Sequence, residues 1–323
     1  MAAATEAGLT QKPLHVACAA DAAFIPHCAA MLHSVCAQHT AARVHVHFLH
    51  DDSLPAVLRL QLGDFVNGIG AQWQAWRIEP QQAAAFPDHP RFGRLAWYRV
   101  LLPELLPQLD RVLYLDADMI VADRLDAIWE LDLGDHALAA VTNPLYPEMS
   151  TAFLGELGLP SIDNYFNSGM LLLNLTEWRR QNIVTAILKF VQDGVGLHTW
   201  PDQNALNAVL WRRRLALPPR WNALSVVFDL PPQLLPYRAE ELVEARQNPA
   251  IIHFIGHYKP WHYRCKHPFR ELYFRHLRQT PWRDLPLEGH TLYHRLMRLL
   301  PWLFGLRLEN RMRAFWQRLR RTE

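Results

Sequence analysis

Cysteine is scarce in this chain, and the four that occur have no arrangement typical of a cysteine-based site. Cys18, Cys28, Cys36 and Cys265 form no C-x-x-C pair and lack the spacing of zinc ligands. We therefore expect neither a zinc site nor disulfide bonds, and we predict free thiols in a reducing cytosol.

A long apolar run and a strong net charge are also missing. No stretch reaches the about 18 consecutive apolar residues of a membrane-spanning helix, so none is expected. The N-terminal stretch has no apolar core of a signal peptide, so none is expected either. The formal net charge is only +2, which does not favour nucleic acid as a partner. Half of the 323 residues are hydrophobic, which is enough for one large domain.

What the chain does have is an alternation of short apolar runs with helix-like stretches. Residues 24–40 and 53–66 place apolar side chains at helical spacing between such runs. Alternating strands and helices predict an α/β fold with a doubly wound sheet, in which ligands bind at the carboxyl ends of the strands. The predicted strands are 15–20, 44–49, 73–78, 111–115, 137–142 and 170–175.

Two aspartates follow the fourth predicted strand, in the stretch YLDADMIV. Asp116 and Asp118 flank the small Ala117, and on an extended chain both carboxylates point to one side. Carboxylates this close repel each other, and a bound cation removes the repulsion. The alternative is that one aspartate caps the next turn while the other is solvated. Asp21 follows the first strand in the same way, so both positions lie at the edge where ligands are expected.

A histidine and a lysine occur close together in HFIGHYKPWH, residues 253–262. His253 is a candidate to complete a metal site with the two aspartates, and Lys259 is a candidate to hold a phosphate. A set of two carboxylates and one imidazole suits Mn²⁺ or Mg²⁺ better than zinc, and its nitrogen ligand favours manganese.

Two more stretches carry candidate residues. WYRVLLPELLP (97–107) predicts a short helix that turns Arg99 toward strand 111–115, where it would bind a carboxylate or phosphate. An ion pair within the fold is the alternative. In YFNSGMLLLNL (165–175), small polar residues at the lip of a buried strand allow a ligand to approach closely, although an ordinary turn has the same composition.

Six elements occur in a fixed order between about His15 and His262: AAD, YR, YLDAD, FNSG, PDQNALN and HFIGHYKPWH. In these elements the sequence resembles the family 8 retaining glycosyltransferases, in particular bacterial lipopolysaccharide and lipooligosaccharide galactosyl- and glucosyltransferases. The resemblance implies a Rossmann-like, single-domain GT-A fold. It also implies retaining transfer of galactose or glucose from a UDP-sugar to a hydroxyl of an oligosaccharide or lipid-linked saccharide.

The resemblance further implies roles for particular residues. Asp116, Asp118 and His253 would bind Mn²⁺, or else Mg²⁺, which would bridge the diphosphate of the donor. The other donor contacts would be Ala19, Ala20 and Asp21 around uracil and ribose, Gly256 and Lys259 at the diphosphate, and Arg99, Asn167 and Gly169 around the transferred sugar.

Beside the anomeric carbon, the resemblance implies Asp202 and Gln203, as a nucleophile or as groups that stabilise an oxocarbenium-like centre. Two positions depart from the family. Ala23 stands where close relatives have an asparagine, which weakens the expected ribose contact. Asn143 stands where an acidic residue is expected after the fifth strand, which bears on the choice of donor sugar or acceptor.

The sequence is also compatible with two other functions. One is a non-catalytic UDP-sugar-binding or membrane-scaffold protein, which the D-x-D pair, the histidine and the lysine disfavour because binding alone needs fewer of them. The other is a UDP-sugar hydrolase with water as the acceptor. The predicted domains are an N-terminal extension (1–14), a catalytic domain (15–289) and a C-terminal tail (290–323).

The tail differs in kind from the rest of the chain. It contains eight arginines and no lysine against two glutamates, a net charge of +6, with leucine and aromatic residues interleaved at helical spacing. This pattern is typical of an amphipathic helix on an anionic membrane surface, and it predicts an enzyme held on the inner face of the cytoplasmic membrane. The alternative is a basic helix packed on the domain.

Overall fold

The computed structural model describes residues 12–89, 93–144, 151–194 and 200–291. The predicted N-terminal extension and basic tail therefore lie largely outside the described residues. Within these ranges the chain forms ten strands. They are β1 Leu14–Ala19, β2 Val44–His50, β3 Gln72–Arg77, β4 Arg111–Leu115, β5 Met119–Val121, β6 Leu138–Val141, β7 Met170–Asn174, β8 Arg214–Leu217, β9 Ala223–Leu224 and β10 Ile251–His253.

The helices cover both faces of the larger sheet and connect its strands. The α-helices are α1 Ile25–Gln38, α2 Ala56–Gly68, α3 Pro80–Ala84, α4 Leu102–Leu105, α5 Asp126–Trp129, α6 Thr151–Glu156, α7 Leu175–Arg180, α8 Ile183–Asp193, α9 Pro201–Leu210, α10 Ser225–Asp229, α11 Ala239–Gln247 and α12 Arg270–Leu277. Short 3₁₀ helices are Ala41–Arg43, Leu95–Leu101, Ile162–Asn164, Trp211–Arg213, Pro219–Asn222 and Pro232–Leu234. Among the described residues, no helix is both long and apolar enough to span a membrane.

Seven strands form the larger sheet, in the order β3-β2-β1-β4-β7-β6-β8. The first four run parallel, β7 is antiparallel to both β4 and β6, and β8 is parallel to β6. All six predicted strands are confirmed, each to within one residue at either end. The α/β class is confirmed as well, although the sheet is mixed rather than uniformly parallel.

Side chains alternate between two hydrophobic cores, one on each face of this sheet. On β4, Leu113 and Leu115 belong to the core under α1 and α2, whereas Val112 and Tyr114 belong to the core that contains Trp178. This is the period of two expected for a strand buried on both faces. The central strands β4, β6 and β7 are buried along nearly their whole length, whereas the edge strand β3 exposes alternate side chains.

A second, three-stranded sheet has the order β5-β10-β9. In it β5 runs antiparallel to β10, with Met119 opposite His253, and β10 runs parallel to β9. Because β5 begins directly after the D-x-D pair, this register brings Asp118 next to His253. The small sheet was not predicted, since strands of two or three residues are too short to show a period.

Candidate functional site

The two aspartates lie in the turn between β4 and β5, and not on an extended strand as the sequence suggested. The Asp116 N–H donates to the Gly169 carbonyl oxygen at 2.8 Å, and the Asp118 carbonyl oxygen accepts from the Phe254 N–H at 3.0 Å. The turn is therefore tied to β7 on one side and to the end of β10 on the other. The carboxylates converge because two sheets hold the turn.

Asp118 contacts both a histidine and a lysine. Its Oδ1 lies 3.1 Å from His253 Nε2, and its Oδ2 accepts from Lys259 Nζ at 2.5 Å. Burial raises the pKa of this carboxyl, but the charges of Lys259 and His253 outweigh burial and hold that pKa well below its usual range. Asp118 is therefore a carboxylate at neutral pH.

Asp116, Asp118 and His253 together fit a divalent metal ion. One ligand atom from each residue lies within 4.8 Å of the other two. Among the described ranges, no other group of histidine, cysteine and acidic residues meets that distance. Two carboxylates and one imidazole form a mostly oxygen set suited to a hard divalent cation. A divalent-metal site at these three residues therefore agrees with the sequence expectation, and manganese stays a prediction.

Gly169 leaves the space that this cluster occupies. A Cβ at position 169 would lie 2.7 Å from Asp116 Oδ2 and would collide with the His253 ring. Real Cβ atoms do not approach other atoms so closely, so the cluster requires glycine here. The space beside Gly169 is taken by the Asp116 and His253 side chains, and the expected close approach of a ligand stays a prediction.

Arg99 lies in the 3₁₀ helix Leu95–Leu101 and is buried beside the acidic groups. Its Nη2 lies 3.1 Å from Asp116 Oδ1 and 3.6 Å from Asp202 Oδ2, while Nη1 donates to the Ser168 carbonyl oxygen. Its guanidinium also stacks over the Tyr114 ring. Arg99 thus forms ion pairs with Asp116 and Asp202. An ion pair within the fold was the alternative role considered for Arg99, and it is present.

Asp202 and Gln203 lie in the first turn of α9, and both are buried. Burial raises the pKa of the Asp202 carboxyl, and the nearby Arg99 charge opposes that effect. Gln203 Oε1 accepts from the Ser168 N–H at 3.0 Å and from Asn167 Nδ2 at 3.1 Å. The two sides of the site, α9 and the lip of β7, are therefore joined by hydrogen bonds.

A set of buried polar residues behind the site was missed in the sequence. Asn222 lies between Asn167 and His253, and Tyr165 donates from its hydroxyl to Asn204 Oδ1 at 2.6 Å. Gln203 Nε2 donates to that same hydroxyl at 2.8 Å. Tyr165, Ser168 and Asn204 stand inside quoted motifs, whereas Asn222 lies in the stretch LPPRWN (217–222), which matches no motif.

The residues expected to contact uracil and ribose lie at the same edge of the sheet. Ala19 ends β1, Ala20 is buried, and Asp21 is exposed. Asp21 Oδ1 accepts from the Phe24 N–H at 2.9 Å, so this carboxylate helps to start α1. Ala23 is exposed beside it. β1 is adjacent to β4, which places this loop next to the D-x-D turn.

The two remaining predicted residues lie on either side of the site. Gly256 has a φ of +95°, a left-handed conformation that favours glycine, and it begins the exposed turn that leads to Lys259. Asn143 is buried just after β6, where its N–H donates to the Tyr165 carbonyl oxygen at 2.8 Å. Both therefore stand at strand ends near the acidic cluster.

The fold of this chain is similar to that of a solved sugar-transferring enzyme. The structure of galactosyltransferase LgtC in complex with donor and acceptor sugar analogues matches with a TM-score of 0.72 and 25% sequence identity. The match covers 83% of this chain and 96% of that chain. The chain is therefore a glycosyltransferase with the GT-A fold that its sequence elements implied.

The chain belongs to glycosyl transferase family 8, whose model matches residues 15–265. General stress protein A of Bacillus subtilis is 28% identical over 84% of this chain and 96% of its own length. The lipopolysaccharide 1,2-glucosyltransferase of Escherichia coli is 28% identical over 65% of this chain, and the lipopolysaccharide 1,3-galactosyltransferase of Salmonella typhimurium is 25% identical over 68%. The matches span only 61% and 64% of those two transferases.

Proposed function

We propose that this protein transfers a hexose, galactose or glucose, from a UDP-sugar to a hydroxyl of a lipopolysaccharide-type saccharide, with retention of configuration. The observation that carries the proposal is the convergence of Asp116, Asp118 and His253 beside Lys259 at the carboxyl edge of the sheet. A diphosphate needs positive charge from a metal ion and from a basic side chain, and this edge offers positions for both.

In this proposal the donor lies across the carboxyl ends of β1 and β4. Ala19, Ala20 and Asp21 bind the uridine, because their loop is adjacent to the D-x-D turn. Gly256 and Lys259 bind the diphosphate, since Lys259 Nζ is already within 2.5 Å of the metal-ligand candidate Asp118. Ala117, buried between the two aspartates, adds no side chain that would obstruct the donor.

A divalent ion bound to Asp116, Asp118 and His253 would act as a Lewis acid on the leaving diphosphate. Lys259 would add a second positive contact to the same oxygens. Arg99, Asn167 and Gly169 would surround the transferred sugar. No strong base is required on the leaving-group side, because the diphosphate leaves as a stabilised anion.

Asp202 and Gln203 are proposed to lie beside the anomeric carbon. Retention follows either from an enzyme nucleophile or from acceptor attack on the face that the diphosphate leaves. Gln203 Oε1 already accepts two hydrogen bonds, which lowers its nucleophilicity and supports a role in holding the site. Asp202 is then the carboxylate that would stabilise positive charge on the sugar or form a covalent intermediate.

The nature of the acceptor is supported by the names of the relatives. Two of them are lipopolysaccharide glucosyl- and galactosyltransferases. The family resemblance implied an acidic residue at position 143, where this chain has an asparagine. Asn143 is proposed to influence the choice of donor sugar or acceptor. The tail at 290–323 is proposed to hold the enzyme on the inner face of the cytoplasmic membrane, close to a lipid-linked acceptor.

The release of UDP from UDP-galactose and UDP-glucose tests this proposal, with and without Mn²⁺ and with and without lipooligosaccharide fragments. We expect release only when metal and acceptor are both present, and its loss in Asp116→Ala, Asp118→Ala or His253→Ala. Full turnover in excess EDTA would refute the proposed metal dependence. Release without acceptor would indicate a hydrolase, and binding without release would indicate a non-catalytic protein.

A further inference from the structure

Asn222 occupies a central position behind the acidic cluster. It ends the 3₁₀ helix Pro219–Asn222 and is completely buried. Its Nδ2 donates to Asn167 Oδ1 at 2.9 Å, and its Oδ1 lies 3.1 Å from His253 Nδ1. Asn222 therefore connects a candidate metal ligand with the polar residues next to Gln203.

A backbone donor fixes the direction of these hydrogen bonds. The Gly169 N–H, which can only donate, points at the side chain of Asn167 at 3.0 Å, so the atom facing it must be Oδ1. That oxygen can only accept, so Asn222 must turn its Nδ2 toward it. The remaining end of the Asn222 amide, Oδ1, then faces the imidazole of His253.

This direction determines the tautomer of His253. Since Asn222 Oδ1 can only accept, the proton of the neutral imidazole must lie on Nδ1. The lone pair of Nε2 then faces Asp118 Oδ1 at 3.1 Å. Two acceptors at that distance repel each other unless a cation lies between them. That cation is either a proton on Nε2, which makes the ring an imidazolium, or a metal ion that replaces this proton while Nδ1 keeps its hydrogen bond to Asn222.

We propose that Asn222 is a positioning residue that holds His253 in the tautomer and ring orientation needed to bind a metal ion through Nε2. The inference rests on the metal-dependent transfer proposed above. Asn167 also donates from Nδ2 to Gln203 Oε1 at 3.1 Å. A single amide thus orients both Asn222, behind the metal ligand, and Gln203, beside the transferred sugar.

The affinity for Mn²⁺ alone, measured by electron paramagnetic resonance without donor or acceptor, tests the proposal. Asn222→Leu removes the acceptor at similar volume, and we expect it to weaken Mn²⁺ binding roughly 10- to 100-fold. Asn222→Asp still accepts from Nδ1 and should bind Mn²⁺ close to the wild-type affinity. If Asn222 had only a structural role, Asn222→Asp would weaken Mn²⁺ binding more than Asn222→Leu. The aspartate would bury a charge and would place a second acceptor against Asn167 Oδ1.

Asn174 offers a matched control. It caps α7 by accepting from the Glu177 N–H, and it pairs with Arg111 at the edge of the sheet opposite the site. Asn174→Ala should lower the melting temperature and leave Mn²⁺ affinity unchanged. If the wild-type protein binds no Mn²⁺, the proposed metal dependence fails and this inference fails with it. If wild type binds and Asn222→Leu binds equally well, only this inference fails.

The tautomer can also be read directly in the wild-type protein, which decides the question if the Asn222 variants do not fold. We would label histidine with ¹⁵N, bind Zn²⁺ as a diamagnetic ion, and assign His253 by comparison with His253→Gln. The expected spectrum shows the proton on Nδ1 and the metal on Nε2. A proton on Nε2, or metal on Nδ1, would overturn the proposal.

Discussion

The Lys259 ammonium lies 2.5 Å from Asp118 Oδ2, and it also donates to the Phe254 carbonyl oxygen at 2.6 Å. A cation bound at the D-x-D turn must share Asp118 with this ammonium. The diphosphate of a donor would offer Lys259 an alternative partner. Metal binding and donor binding should therefore be linked through this one side chain.

Lys259→Met separates the two interactions. Loss of a charge-assisted contact to the diphosphate should weaken UDP binding by about 1.5–3 kcal/mol and leave uridine binding unchanged. Mn²⁺ alone should bind as tightly as in wild type or more tightly, because a competing positive charge is removed. Calorimetry with uridine, UDP and Mn²⁺ measures all three. Equal losses for uridine and UDP would refute the assignment.

Gly169→Ala places a methyl group against the acidic cluster. Its Cβ would lie 2.7 Å from Asp116 Oδ2, so Asp116 or His253 must move. We expect Mn²⁺ affinity to fall at least about tenfold, as for lost ligand orientation. Gly68→Ala is the control, because a Cβ there meets no atom within 4 Å. Unchanged Mn²⁺ affinity in Gly169→Ala would contradict the metal site.

β8 was missed, because RLAL is only four residues long and begins in a run of arginines. The other six strands of the larger sheet were predictable, because apolar or alternating runs of four to seven residues suffice to recognise a strand. The pairing of β7 was not, since an apolar run does not say whether it lies parallel or antiparallel to β4. The candidate ligands were found because Asp116 and Asp118 follow a strand. Asn222 was not found, because its significance comes from the long-range contact with His253.

Buried histidines at the opposite end of the sheet predict acid sensitivity. Burial, together with neighbouring histidines, lowers the pKa of His47 to about 3, while His15 Nδ1 lies 2.9 Å from His47 Nε2. The unfolded histidine has a pKa of about 6.5. The unfolded state therefore binds more protons between these values, and stability is full above pH 6.5 and falls as the pH decreases toward 3.

Chemical denaturation at pH 7 and pH 5 measures this effect. His47 should account for about 2 kcal/mol of the stability lost at pH 5. This pH lies about 1.5 units below the unfolded pKa, and each pH unit in this range costs about 1.4 kcal/mol. His47→Gln cannot take up the proton, so its unfolding free energy should change less between the two pH values. An equal change in variant and wild type would show that His47 does not titrate on unfolding.

The tail prediction concerns residues 290–323, most of which lie outside the described ranges. With a net charge of +6, this segment should bind anionic vesicles at low salt and bind them less as salt rises. Neutral vesicles should bind poorly. A chain ending at Gly289 should stay folded and keep turnover on a short soluble acceptor. Unfolding of that shorter chain would indicate that the tail packs on the domain instead.

The most direct test of the account is the product formed from UDP-galactose or UDP-glucose and a short saccharide acceptor in the presence of Mn²⁺. Mass spectrometry would report the transfer, and the anomeric proton signal in NMR would report the configuration. The account predicts an acceptor one hexose heavier, joined by an α linkage, and no such product in excess EDTA. A β-linked product, or the same yield in EDTA, would contradict it.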